Sequence, residues 1–291
     1  MSEFTVKDLL AAGVHFGHQT QKWNPKMKPY VYGEKNGIYI IDLFKTVLMA
    51  KKAYEFLYKV SSQGKPILFV GTKRQASEIM KKAAQDCGAF YVTHRWLGGM
   101  LTNFKTISLS IDKLRKVERM KENGDFKLLT KKEQAKIDKD VAKLERNLGG
   151  IKNMRKLPGA VVIVDPNTEK TAVKEANILG IPVIAVTDTN CDPTGIDFIV
   201  PANDDAIKSI KAFTSYFAQS IGEGAQTARK AKENEGERDI SLEKEILSKY
   251  EQDLDLQAPS EKVEVKEKAK EEAKENEGSG PEGEEKVEAK K

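Results

Sequence analysis

Gly159-Ala160-Val161-Val162-Ile163-Val164-Asp165 sets five apolar residues in unbroken succession between a glycine and an aspartate. A half-buried strand alternates apolar and polar side chains, so a continuous apolar run of this length belongs to a strand covered on both faces. Two other stretches have the same character, Ile67-Leu68-Phe69-Val70-Gly71 before it and Ile181-Pro182-Val183-Ile184-Ala185-Val186-Thr187-Asp188 after it. Ala89–Val92 and Ile196–Pro201 add two shorter strands. Helical periodicity fills the gaps. Asp42 opens a helix from Leu43 to Ser61, a second carries Ile79, Met80, Ala83 and Ala84 and stops at Gly88, and a third spans Thr168 to Leu179 before Gly180. A last helix starts at Asn203 or Asp204 and runs to about Gly222, with Gly222-Glu223-Gly224 marking its end. Strands alternating with helices of this length predict right-handed crossovers and a parallel sheet flanked by helices on both faces.

The alternation is interrupted once. After Ala89–Val92 comes His94-Arg95-Trp96-Leu97-Gly98-Gly99-Met100-Leu101-Thr102-Asn103, and then about 45 residues with too much charge for interior helices. Asn103 is expected to cap a first helix with Ile107, Ile111, Leu114 and Val117 on one stripe. Thr130 and Glu133 stand at capping-box spacing ahead of a second, with Ile137, Val141, Leu144 and Leu148. Each helix has one narrow apolar seam, enough to pair with the other as an antiparallel coiled-coil hairpin and leaving nothing to bury on the sheet. The organisation expected is therefore an α/β domain from residues 1–102 and 151–225, an inserted hairpin over 103–150, and a charged, largely disordered tail over 226–291.

Charge is divided along the chain. Residues 226–291 carry 14 Lys and Arg against 20 Asp and Glu, leaving 35 against 24 for residues 1–225. The whole-chain value of +5 thus conceals a strongly basic body behind an acidic tail. A basic body favours a polyanionic partner, nucleic acid or an anionic membrane surface. Only Cys87 and Cys191 are present, far apart, which fits a reducing compartment better than a disulfide framework. No apolar run approaches the roughly 18 residues of a membrane span, and the first residues lack a signal-peptide pattern. The expectation is a cytoplasmic protein.

Near the start, Thr5 and Asp8 form a capping box on a short helix that Gly13 ends. Val14 to Tyr30 then shows neither helical nor strand period and is crowded with Lys, His, Trp and Tyr, the mixture of cations and aromatics that irregular RNA recognition uses. Candidate chemistry is sparse. Phe69-Val70-Gly71-Thr72-Lys73-Arg74 lacks the spacing of a phosphate loop, so Lys73 and Arg74 could meet phosphate by charge alone. His15 and His18 have the spacing of two metal ligands, but need carboxylates such as Asp188 or Asp192 brought to them by the fold. Asp165 and Asp188 end strands, where open α/β sheets keep catalytic groups, yet strand-terminal Asp is equally a turn former. No nucleophile–base arrangement is readable.

Val14-His15-Phe16-Gly17-His18, Lys22-Trp23-Asn24-Pro25-Lys26-Met27, Asn36-Gly37-Ile38-Tyr39-Ile40-Ile41-Asp42, Arg95 to Asn103 and Pro182 to Pro193 together resemble the bacterial family of the universal second protein of the small ribosomal subunit. The likeness spans nearly all of residues 4–224, in order. It implies a flavodoxin-like sheet with a protruding coiled-coil hairpin and no catalysis. It further implies a single copy in the small subunit, on ribosomal RNA, helping to dock the large first protein that captures messenger RNA. Carried over position by position, the RNA-facing residues are Lys22, Trp23, Asn24, Lys26 and Lys28 in the first loop. Arg95, Trp96 and Asn103 follow at the arm's base, then Lys105, Lys113, Arg115 and Arg119 along it, and Arg155 and Lys156 at its return. Trp96 and Gly98-Gly99 have an alternative role, packing so as to aim the arm while Arg95 alone touches phosphate. No cofactor is required, and a divalent metal at His15 and His18 is left open.

Two rival readings make different predictions. An α/β enzyme would act on a phosphorylated metabolite through Lys73, Arg74, Asp165 and Asp188, and would need an open pocket at the strand ends. A protein-docking arm would keep the fold and make RNA secondary.

Overall fold

The computed structural model describes residues 5–256. The chain forms two units, Met1–Ala231 and Lys232–Lys291. In chain order the first elements are helix α1 (Val6–Ala11), strands β1 (Phe16–Gln19), β2 (Val31–Lys35) and β3 (Ile38–Ile41), and helix α2 (Leu43–Ser62). The sheet then begins with β4 (Ile67–Val70), α3 (Arg74–Cys87) and β5 (Phe90–Val92). Two long helices follow, α4 (Phe104–Glu122) and α5 (Lys131–Leu148), before β6 (Ala160–Val164), α6 (Lys170–Ile178), β7 (Val183–Thr187), β8 (Phe198–Pro201) and α7 (Ile207–Leu256).

Five strands pair in parallel in the order β5-β4-β6-β7-β8. Counted within this sheet the order is second, first, third, fourth, fifth, the flavodoxin-like winding, with its reversal between β4 and β6. Every residue of β4, β6 and β7 is buried, as continuous apolar runs require. Side chains alternate across the sheet. Phe69, Val162, Val164, Ile184 and Val186 face one core with α2, α3 and α7, which contribute Leu57, Met80, Phe213 and Phe217. Leu68, Val70, Val161, Ile163, Val183 and Ala185 face the other, with Ala172 and Ala176 of α6.

That second core corrects the reading of the arm. Ile107, Ile111 and Leu148 are buried in it beside the sheet strands, so the roots of α4 and α5 cover the sheet where a crossover helix would lie. Farther out the two helices run back along each other. Lys121 Nζ meets Asp138 Oδ1 at 2.6 Å, and Leu114 and Val117 are buried on α4 while Ile137, Val141 and Leu144 are half-buried on α5. Thr130 and Glu133 form the expected capping box. Asn103 precedes α4 but its side chain caps nothing, since its Oδ1 accepts instead from Thr106 Oγ1.

Two further differences concern secondary structure. Residues 14–30 were expected as an irregular loop, yet β1 joins β2 and β3 in a small antiparallel sheet, order β1-β3-β2, with two 3-10 turns between β1 and β2. Helix α7 does not stop at Gly222 but continues to Leu256. Gly224 serves closeness to α2, where an added Cβ would come within 2.7 Å of Tyr58 O and 2.8 Å of Ser61 Cβ. Of the tail expected to be disordered, residues 226–256 thus continue α7, and residues 257–291 lie outside the described residues.

Candidate nucleic-acid interface

The root of the arm is organised by a residue the sequence reading passed over. Glu175 lies on the face of α6 that also buries Ala172 and Ala176, and is itself buried. Its carboxylate accepts from Trp96 Nε1 at 3.1 Å, Gly99 N at 2.8 Å, Leu101 N at 2.9 Å, and Thr102 N and Oγ1, both at 3.1 Å. Burial pushes this carboxyl up, but the hydrogen bonds, the Trp96 indole first, outweigh it and hold it below the usual carboxylate range. Trp96 is therefore a packing residue whose polar edge is spent on Glu175, not a platform for stacked bases. Gly99, at φ +82, takes the left-handed turn that aims its N–H at the same carboxylate. Arg95, beside the buried Trp96, is exposed.

The carboxyl ends of the strands are plugged. Residues 16–26 lie across them, with His18 N donating to Thr189 Oγ1 at 2.9 Å and Asn24 N to Thr189 O at 2.8 Å. Gly17 makes the approach possible, because a Cβ there would stand 2.6 Å from Thr189 Cγ2 and 2.9 Å from Tyr39 O. Lys26 Nζ bonds both Asp192 oxygens at 3.1 Å and Thr194 Oγ1 at 2.8 Å, pinning the segment from its far side. Trp23 is half-buried with its ring centroid 4.8 Å from that of Tyr39, and Asn24 Oδ1 caps the following 3-10 turn through Lys26 N.

Beneath the plug is a buried charged cluster. Lys73 Nζ stands 2.8 Å from Asp204 Oδ1, 2.5 Å from Asp205 Oδ1 and 3.8 Å from Asp165 Oδ2. Burial disfavours its charge, but the hydrogen bonds to Asp204 and Asp205 overcome this and push its pKa up. This corrects the sequence reading, since Lys73 is already neutralised from within. His18 Nδ1 lies 2.9 Å from Asp188 Oδ2 and its Nε2 3.5 Å from Asp205 Oδ2, and the Asp188 bond raises its pKa. Burial and the neighbouring Asp188 and Asp165 push Asp204 up to about 7. The structure brings His18 to these carboxylates and leaves His15 away from them, against Phe16 with ring centroids 4.0 Å apart. Asp165, in the left-handed region at φ +59, uses its carboxylate to cap the turn before α6 through Asn167 N, Thr168 N and Thr168 Oγ1.

The other expected contact residues divide clearly. Arg115 is half-buried, donating to Lys152 O at 2.5 Å and lying 3.5 Å from Asp112, so it secures the arm's return. Lys22, Lys28, Arg74, Arg95, Lys105, Lys113, Arg119, Arg155 and Lys156 are exposed, and none pairs with a carboxylate among the described residues. With no carboxylate partner among the described residues, these cations are open to an external anion.

A family model described as ribosomal protein S2 matches residues 9–224. The small ribosomal subunit protein uS2 of Geotalea uraniireducens is 55% identical over 226 residues, covering 78% of this chain and 88% of its own length. The chain belongs to the ribosomal protein S2 family. As a member it is a structural constituent of the small ribosomal subunit, acting in translation alongside ribosomal RNA and other ribosomal proteins, and it is not an enzyme. The plugged strand ends agree, because Asp165 and Asp188 of the enzyme reading are occupied in turns and ion pairs. No helix among the described residues is long and apolar enough to cross a membrane.

Proposed function

We propose that the nine unpaired cations bind phosphates of small-subunit ribosomal RNA, with Lys22 and Lys28 in the first loop, Arg74 at the start of α3, Arg95 and Lys105 at the arm's base, Lys113 and Arg119 on α4, and Arg155 and Lys156 at its return. The observation that carries this is the division among basic residues. Lys26, Lys73 and Arg115 are bound internally, while those nine are exposed with no carboxylate to hold them among the described residues. Phosphate contacts position a protein without reading sequence, which suits a scaffold element bound as one copy at one place in a particle. The arm, taken as a coiled coil beyond its buried root, extends that surface.

A second part of the proposal is that the chain helps to dock the large first small-subunit protein. Support comes from Phe44 and Leu48, one turn apart on α2 and 75% and 56% exposed, an apolar pair suited to a protein rather than an RNA neighbour. The test is reassembly of small subunits depleted of this protein. Arg95→Ala combined with Arg155→Ala and Lys156→Ala should lower occupancy of the RNA site. Phe44→Ser with Leu48→Ser should preserve occupancy and reduce retention of the first protein. Full occupancy by the charge variant would refute the RNA surface, and full retention by the apolar variant would refute the docking surface.

A further inference from the structure

We propose that a cleft at the amino ends of β4, β6 and β7 holds a nucleoside phosphate, supplied as one unstacked nucleotide of ribosomal RNA. The base lies against an apolar wall and the phosphate among three lysines. The cleft has a volume of about 710 Å3 and is formed by the end of α2, the turn into β4, the arm's return into β6 and the turn into β7. Pockets for compact ligands usually measure roughly 300–1,000 Å3, so the space suits a nucleotide better than an extended peptide.

Its lining carries one sign of charge. Lys59, Lys65 and Lys156 border it, and no acidic residue does among the described residues. None of the three lysines is in an ion pair among those residues. Ammonium groups around a recess attract an anion, and as point charges they suit phosphate oxygens. Much of the remaining wall is apolar, with Phe56, Leu157, Pro66, Pro158 and Pro182. A simple anion needs no such wall, whereas a base joined to its phosphate uses both parts. Gln63, exposed on the same lining, adds an amide that can donate to and accept from a base edge.

The recess is also preformed. Gly159 N donates to Pro66 O at 2.7 Å and Val161 N to Pro182 O at 3.0 Å, tying the three entering segments together. Phe56 is stacked on Phe198 with ring centroids 4.4 Å apart, which fixes its ring. The Lys65 stem lies against Gly159, where an added Cβ would stand 2.8 Å from Lys65 Cβ and 3.1 Å from its Cδ. Walls held in this way lose little freedom when a ligand enters. RNA is the favoured source because Lys156, with its exposed neighbour Arg155, belongs to the phosphate-binding surface proposed above, on which this inference rests. That surface holds backbone alone, and the cleft adds a hold on one base.

The test uses full-length protein bound to small-subunit ribosomal RNA, with ultraviolet cross-links mapped by mass spectrometry and affinity measured across a range of salt. A nucleotide cross-linked within residues 56–66 or 156–159 is expected. Lys59→Gln combined with Lys65→Gln, both exposed, should lose that cross-link and reduce the salt slope by about one to two. Leu157→Ser should weaken binding about fivefold with the slope unchanged, which a purely electrostatic contact would not show. Circular dichroism checks that the variants keep the fold. Salt-dependent binding by wild type without a cross-link in the cleft would overturn the cleft and leave the phosphate surface standing. So would variants that bind as wild type does. Salt-independent binding by wild type would overturn both. Adenosine and uridine monophosphates are the second probe. Loss of the cross-link on adding either at micromolar concentration would overturn the RNA assignment in favour of a free nucleotide. Cross-links from the cleft to a protein in assembled subunits would overturn it in favour of a protein neighbour.

Discussion

Glu175 shows how much a single buried carboxylate can organise. It gathers donors from Trp96, Gly99, Leu101 and Thr102, none of them near it in sequence. Glu175→Gln keeps the shape but turns an N–H2 toward other N–H groups, so stability to urea should fall by about 2–3 kcal/mol. The pH dependence has a definite sign. A carboxyl held below its ordinary value stabilises the fold above its unfolded pKa and loses that contribution as pH falls through the folded one. The gap between wild type and Glu175→Gln should therefore be full at pH 6 and close below about pH 4.5. Neighbouring residues separate folding from binding. Trp96→Phe should cost about 2 kcal/mol and leave the salt dependence of RNA binding intact, whereas Arg95→Ala should cost under about 0.5 kcal/mol and reduce that slope by about one. At this scale the local signals were legible, as the capping boxes at Thr5–Asp8 and Thr130–Glu133 and the Asp42 cap show. Glu175 was not, because nothing local distinguishes it from a surface glutamate, and its donors arrive only when the sheet closes.

The elements differ in how plainly their sequences announce them. Strands β4, β6 and β7 are buried on both faces, so their apolar runs are continuous and unmistakable. The small sheet of β1, β2 and β3 is half-exposed and breaks register between Phe16 and Gln19 and again between Val31 and Gly33, which erases any period-two pattern. One signal was available there. Asn36 and Gly37 both have positive φ and form the two-residue turn between Lys35 and Ile38, the strongest short hairpin signature. The arm was recognised as a pair of helices but misjudged at its root. Its seam is continuous with the body's core through Ile107, Ile111 and Leu148, and periodicity cannot tell which partner a seam residue meets. This yields a test by truncation. Replacing residues 120–138, beyond Arg115 and Glu118, with a short Gly-Ser turn should leave the body's melting temperature nearly unchanged, while removing 104–150 should unfold it by baring the sheet. Ile111→Ala, at the junction, should cost about 2–4 kcal/mol in chemical denaturation.

For the whole molecule, the governing fact is how positive charge is apportioned. Some of the basic residues hold the fold together, Lys26 pinning the plug, Lys73 under it and Arg115 at the arm's return, and charge counting alone could not have sorted these from the exposed ones. Composition did reveal a basic body. Only the fold reveals that the strand-end crevice, where an α/β enzyme would bind its substrate, is filled by the chain's own residues 16–26. Gly17→Ala should loosen that plug, with a lower melting temperature and faster amide exchange at Thr189. The central claim, that the exposed cations are there for ribosomal RNA phosphates, is tested most directly by the salt dependence of binding to small-subunit ribosomal RNA. Wild type should be compared with a variant carrying Lys28→Ala, Arg95→Ala, Arg119→Ala and Arg155→Ala. If those four side chains each neutralise a phosphate, the slope of log affinity against log salt should be shallower in the variant by about three to four. Equal slopes and equal affinities for the two proteins would contradict it.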